Sequence, residues 1–159
     1  MNKLEFIRDY TNNDVEIEEK KIDFLNDESR LRGYMGPRCC GKTYLLYQDL
    51  AYNVATNVGH YIVIAPNYPA LRIISQHIKE CFEQFMITPK EVSSPTSLEL
   101  SFHNGSVITF MSGSNDLSSR LRGYRLNGAY IDDIEHIKGY KSVLEVLDKS
   151  ALNKPSISV

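Results

Sequence analysis

Leu46, Leu50 and Val54 recur every four residues, the spacing of one helical face, so the pattern predicts a helix over residues 42–56. "NVGH" closes it, with Gly59 placed for a helix stop. "HYIVIAP", residues 60–66, is apolar without alternation and ends at a proline, as expected of a strand buried on both faces. Pro69 suits the first turn of the next helix, whose apolar stripe is Leu71, Ile74, Ile78, Cys81 and Phe85. Cys81 therefore reads as a core residue rather than a reactive thiol. In "SLELSFHNGSVITFM", Leu98, Leu100 and Phe102 alternate, and Asn104-Gly105 is expected to supply the left-handed pair of a tight turn, giving a β-hairpin. "GAYIDDIEHI" predicts a buried strand ending in acids. A helix from Ser142 to Leu152 follows, and "PSISV" begins another strand.

Strands alternating with helices indicate an α/β fold, a mostly parallel sheet flanked by helices with the hairpin inserted. Residues 1–29 are more polar; Ile17, Ile22 and Leu25 could line one side of a short helix, an N-terminal arm on a main domain of residues 30–159. "RLRGYM" is a poor strand leading into that domain.

Composition changes this picture little. A chain of 159 residues, 42% hydrophobic and 24% charged, fits one soluble globular domain. No apolar run approaches the roughly 18 residues of a membrane-spanning helix. "MNKLEFIRDY" lacks the apolar stretch of a signal peptide, which favours an intracellular protein. Cys39, Cys40 and Cys81 form no disulfide framework, and His60, His77, His103 and His136 show no ligand spacing. The net charge of -2 excludes a domain that binds nucleic acid through its overall charge. Contact with DNA would need a local patch or an assembly.

The chemistry concentrates at "GPRCCGKT", residues 36–43. Gly36, Gly41, Lys42 and Thr43 complete the phosphate-loop pattern G-x-x-x-x-G-K-[ST]. Its glycines let backbone N–H groups turn onto phosphates, Lys42 reaches the β- and γ-oxygens, and Thr43 offers a hydroxyl to Mg²⁺. Pro37, Arg38, Cys39 and Cys40 complete the cradle, the cysteines as small residues whose backbone does the binding. A second acidic element is required, and "AYIDD" provides it: Asp132 for the metal shell, and Asp133 or Glu135 to orient the attacking water. No guanine-reading N-K-x-D is present, so the expected ligand is Mg²⁺-ATP.

"GPRCCGKT", "HYIVIAP", the hairpin and "SSRLRGYRLNGAYIDDIEH", in that order, resemble the ATPase domain of the large terminase subunit, the DNA-packaging motor of tailed bacteriophages. The resemblance covers roughly residues 30–140. It implies a P-loop NTPase of the RecA-like, ASCE type. Arg38 then matches an arginine that senses the γ-phosphate within its own subunit. Arg122, in "LRG", matches one that reaches the neighbouring subunit's nucleotide, although Arg120, Arg122 and Arg125 also read as a solvated basic loop. The resemblance further implies a homo-oligomeric ring, a portal and a small terminase subunit as partners, double-stranded DNA only within the assembly, and the cytoplasm of an infected bacterial host.

Two departures stand out. Asp133 occupies the place where the family has glutamate, one methylene shorter, with Glu135 expected to point elsewhere from a strand end. The chain also stops at "KPSISV", where the family continues into a coupling motif and a nuclease, so it is either a fragment or a reduced relative. The expectation is slow ATP hydrolysis and no DNA cleavage by the isolated chain. Two other readings stay open: a nucleotide-binding accessory module with weak turnover, and the first RecA-like lobe of a helicase.

Overall fold

The computed structural model describes residues 2–10, 18–29, 31–93, 98–113 and 116–158, and within these the side chains of 9, 10 and 151–158 are left undescribed. Ile17 lies outside these residues. In chain order the elements are α1 (Lys3–Tyr10), α2 (Glu19–Asn26), β1 (Leu31–Arg32), α3 (Lys42–Thr56), β2 (His60–Ala65), α4 (Tyr68–Gln84), β3 (Lys90–Ser93), β4 (Leu98–Ser101), β5 (Val107–Ser112), α5 (Leu117–Leu121), β6 (Leu126–Ile131), a 3₁₀ turn (Ile134–His136), α6 (Tyr140–Ser150) and β7 (Ala151–Ser158).

The strands form one sheet in the order β1-β7-β6-β2-β5-β4-β3. From β1 to β5 neighbours run parallel, while β4 pairs antiparallel with both β5 and β3. The expected inserted hairpin is thus β4–β5, and β3 extends it by a strand whose exposed "KEVS" carries no apolar pattern.

Burial on both faces explains the unalternating run in β2. Tyr61, Val63 and Ala65 face a core built with α1, α2, α3 and α4, whereas Ile62 and Ile64 face a smaller one with α5 and α6. The helix stripes follow the expected spacing: Leu71, Ile74, Ile78 and Cys81 of α4 and its C-cap Phe85 are all buried. α1 and α2 place Phe6, Ile7, Phe24 and Leu25 in the larger core, where Phe6 stacks on Phe85 with ring centroids 4.8 Å apart. Ile22 is only half-buried; Phe24 packs instead.

Three local expectations are corrected. Gly59 does not stop α3, which ends on Asn57 in an extended conformation. Gly59 is needed for space: a Cβ there would lie 2.2 Å from Asn127 Cγ, and Asn127 Oδ1 accepts the His60 N–H at 3.0 Å. The hairpin turn has one left-handed residue, Gly105 (φ 90°), because the loop holds three residues between Phe102 and Ser106. Asn104 instead uses its side chain, accepting from Ser106 N at 2.9 Å and donating to Val54 O at 2.7 Å. Finally, α6 runs Tyr140–Ser150 rather than 142–152, since Ala151 already pairs with Leu126 of β6 and Pro155 could not continue a helix.

Candidate nucleotide site

β1 ends at Arg32 and α3 begins at Lys42, so residues 33–41 must turn the chain from the sheet into the helix. The turn uses two left-handed residues, Gly41 (φ 82°) and Cys39 (φ 62°), the second a strained choice for a residue with a side chain. Gly36 is needed for closeness, because a Cβ there would lie 2.7 Å from Cys40 Sγ. Lys42 Nζ donates to Gly36 O at 2.7 Å and Pro37 O at 3.0 Å, which holds the ammonium in the hollow of the loop. No side chain caps α3, so its first-turn N–H groups and positive dipole end face the same hollow. Arg38 and Cys39 are exposed on the loop.

The acids arrive from β6. Thr43 Oγ1 donates to the Asp132 carboxylate, 3.2 and 3.3 Å from its two oxygens. Burial, then the negative charge of Asp133, raises the Asp132 pKa above the ordinary carboxylate value, and the Thr43 hydrogen bond partly offsets them. Asp133 adopts φ 52°, ψ 51°, a left-handed conformation that aspartate tolerates better than most residues, and it bends the chain into the 3₁₀ turn. This corrects the expectation that Glu135 points elsewhere. The strand has already ended at Ile131, and the carboxylates of Asp133 and Glu135 and the His136 ring lie within 4.8 Å of one another.

Two cavities meet here. The larger, about 770 Å³, is walled by Arg38, Lys42, Thr43, Tyr47, Asp133 and Glu135 among others. The smaller, about 250 Å³, lies between Tyr34, Met35 and Asp132 and shares Lys42, Asp133 and Glu135. Arg122 follows α5, is exposed and lines neither. Within one chain the fold therefore gathers Arg38, Lys42, Thr43, Asp132, Asp133 and Glu135, and leaves Arg122 apart.

These residues suit a magnesium nucleotide. An uncapped helix N-terminus and an ammonium suit phosphate, while a hydroxyl beside a carboxylate offers hard oxygen ligands to Mg²⁺. The family model described as "Terminase large subunit, T4likevirus-type, N-terminal" matches residues 33–153. The chain belongs to that family.

Solved structures agree on the fold. The large terminase from a thermophilic bacteriophage, in complex with ADP, superposes with a TM-score of 0.69 at 15% identity, over 90% of this chain and 38% of that one. The same terminase in complex with ATP-gamma-S gives 0.63 at 15% identity, over 90% and 38%. The large terminase ATPase domain of Thermus phage P74-26 gives 0.64 at 18% identity, over 99% of this chain and 70% of that one. No curated protein matches. The fold is thus that of a P-loop NTPase, with β7 between the phosphate-loop strand and the acid strand. The chain spans 38% of the length of the ADP-bound terminase.

Sequence reasoning missed a charged hub behind the loop. Asp49 of α3, fully buried, receives Arg32 Nη2 at 2.7 Å, Lys3 Nζ at 2.5 Å, Tyr130 Oη at 3.0 Å and Asn53 Nδ2 at 3.2 Å. The buried Arg32 also donates to Phe24 O and Asp27 O, so one cluster ties α1, α2, β1, α3 and β6 together. An aspartate between the core-facing Leu46 and Leu50 of the helix was the available signal. Tyr47, one turn beyond Thr43, was also missed.

Proposed function

We propose that this chain is the ATP-hydrolysing part of a terminase-like DNA-packaging motor. The observation that carries the reading is the meeting of Thr43 and Asp132, hydroxyl to carboxylate, at the uncapped start of α3. Bound Mg²⁺ would neutralise charge on the β- and γ-oxygens of ATP. Thr43 and Asp132 would hold it, Asp132 from the outer shell. Lys42 would exchange its two loop carbonyls for phosphate oxygens, and the backbone from Gly36 to Gly41, with Pro37, Cys39 and Cys40, would enclose the phosphates. Arg38, exposed on the loop and lining the larger cavity, would serve the γ-phosphate. Asp133 and Glu135, close together at the cavity mouth, compete for the role of orienting water; the shorter Asp133 reaches less far, which favours slow turnover. Arg122 is assigned to the nucleotide of a neighbouring copy in a ring, an arrangement supported by its exposure away from its own loop.

Residues 1–29 form the arm and 30–159 the ATPase domain of this reading. Portal, small subunit and double-stranded DNA are partners of the assembly in the cytoplasm of an infected host, and DNA cleavage is not expected from this chain. The specific observation favouring an accessory module with weak turnover is the exposed aspartate at the water-orienting position. The test is calorimetry with Mg²⁺-ATP on wild type and Lys42→Ala, followed by steady-state turnover. Binding should be lost in Lys42→Ala with the melting temperature within about 2 °C of wild type. Equal affinity in the two proteins removes the phosphate-site assignment. Binding without any turnover, even when subunits are assembled, leaves the accessory module.

A further inference from the structure

Three large tyrosines are almost completely buried: Tyr47, Tyr61 and Tyr130. Two of them satisfy their hydroxyls inside the protein. Tyr61 donates to Asn57 O at 2.8 Å or Asn53 O at 3.0 Å, and Tyr130 binds Asp49 and Asn53. The Tyr47 hydroxyl, buried like theirs, has no hydrogen-bond partner among the described residues. A buried donor left unmade destabilises a fold, and phenylalanine would fill the same space without it. The ligand-free protein therefore makes no well-formed hydrogen bond with this oxygen.

Its surroundings indicate what it serves. Tyr47 is four residues after Thr43, on the same face of α3, and it helps to wall the 770 Å³ cavity with Lys42, Thr43, Asp133 and Glu135. The Asp132 carboxylate lies close enough for its charge and an incipient hydrogen bond to weigh on the phenol, but the contact falls short of hydrogen-bond geometry. Burial first, then the Asp132 charge, pushes the phenol pKa above its usual value, so the group remains a protonated donor. In this structure Asp132 takes its side-chain hydrogen bond from Thr43 instead.

We propose that Tyr47 is a positioning residue of the nucleotide site, its hydroxyl donating to Asp132 once the Thr43 oxygen is drawn to the metal. The proposal rests on the Mg²⁺-nucleotide reading above. It assigns Tyr47 no contact with the reacting atoms; the residue acts by holding the carboxylate in place.

The test is Tyr47→Phe, in three measurements against wild type. Ligand-free thermal stability should be unchanged or raised. ATP affinity with excess EDTA should be unchanged. The strengthening of ATP binding as Mg²⁺ is titrated should fall about tenfold, equivalent to about 1.4 kcal/mol. In an Asp132→Asn background, Tyr47→Phe should produce no further Mg²⁺-dependent loss. A lower melting temperature with unaltered Mg²⁺ dependence would overturn the proposal and make the hydroxyl structural. If wild type shows no Mg²⁺-ATP binding, the nucleotide reading fails and this inference fails with it. If wild type binds, Lys42→Ala does not, and Tyr47→Phe matches wild type, only the role of Tyr47 fails.

Discussion

Tyr47 and Asp49 stand two residues apart on α3, and both are buried. Asp49 is surrounded by donors from α1, β1, α3 and β6, whereas the buried Tyr47 hydroxyl has no hydrogen-bond partner among the described residues and the nearby Thr43 and Asp132 each line a cavity. One helix thus carries two kinds of polar chemistry. At the hub, charges are already paired and removing one leaves another stranded in the core. At the loop, groups are kept apart from full satisfaction, and the protein is less stable for it. The contrast separates residues that hold the site from residues that use it.

The strongest way to break the hub is Asp49→Ala, which leaves buried Arg32 without its carboxylate. A loss of about 3–5 kcal/mol in chemical denaturation is expected. Replacing both, with Arg32→Met and Asp49→Leu, should recover only part of that loss: it removes the stranded guanidinium, but Lys3, Tyr130 and Asn53 still lose their acceptor. If the double variant is as unstable as the single one, the stranded Arg32 charge is not what the single variant loses.

Asp132→Asn should do the opposite. A carboxylate whose folded pKa is raised takes up a proton more readily in the native than in the unfolded state. Its charge therefore lowers stability at neutral pH, and that penalty is relieved as pH falls through the raised pKa towards about 4. The ligand-free variant should gain less than about 1 kcal/mol, discounted because the carboxylate is partly solvated, while Mg²⁺-dependent nucleotide binding is lost. A destabilised Asp132→Asn protein would place Asp132 with the hub instead.

The smallest effect lies between these extremes. His60 is half-buried, and its Nε2 lies 2.7 Å from Thr109 Oγ1. Burial lowers its pKa, so the unfolded chain binds the proton more readily, and stability drops as pH falls below about 6.5. Comparison of wild type with His60→Gln between pH 7 and pH 5 should show a shallower slope in the variant.

Much of this organisation was legible as pattern. The spacing of Leu46, Leu50 and Val54 gave α3 to the residue, and the unbroken run of β2 announced burial on both faces. The phosphate loop was legible because backbone geometry and charge restrict its residue types. β3 and α5 were not, since four exposed residues and a five-residue helix carry too little periodicity. Gly59 was misread because its role depends on Asn127, a residue on another strand. The hub escaped for the same reason: Lys3, Arg32, Asp49 and Tyr130 become neighbours only in three dimensions. Glu135 was displaced by a single backbone choice, the left-handed Asp133, which a strand pattern does not encode.

The edge position of β1 also bears on how the molecule comes into being. β1 is the first strand among the described residues, yet its neighbour in the sheet is β7, more than a hundred residues later: Leu31 aligns with Ile157 and Arg32 with Ser158. On a ribosome the segment carrying the phosphate loop emerges early and must wait until residues 157 and 158 follow before it has a strand to lie against. Closing so long a loop is entropically slow, so that pairing belongs to the late steps of folding. A nascent chain would acquire its central strands β2 and β5 well before it could grip a nucleotide.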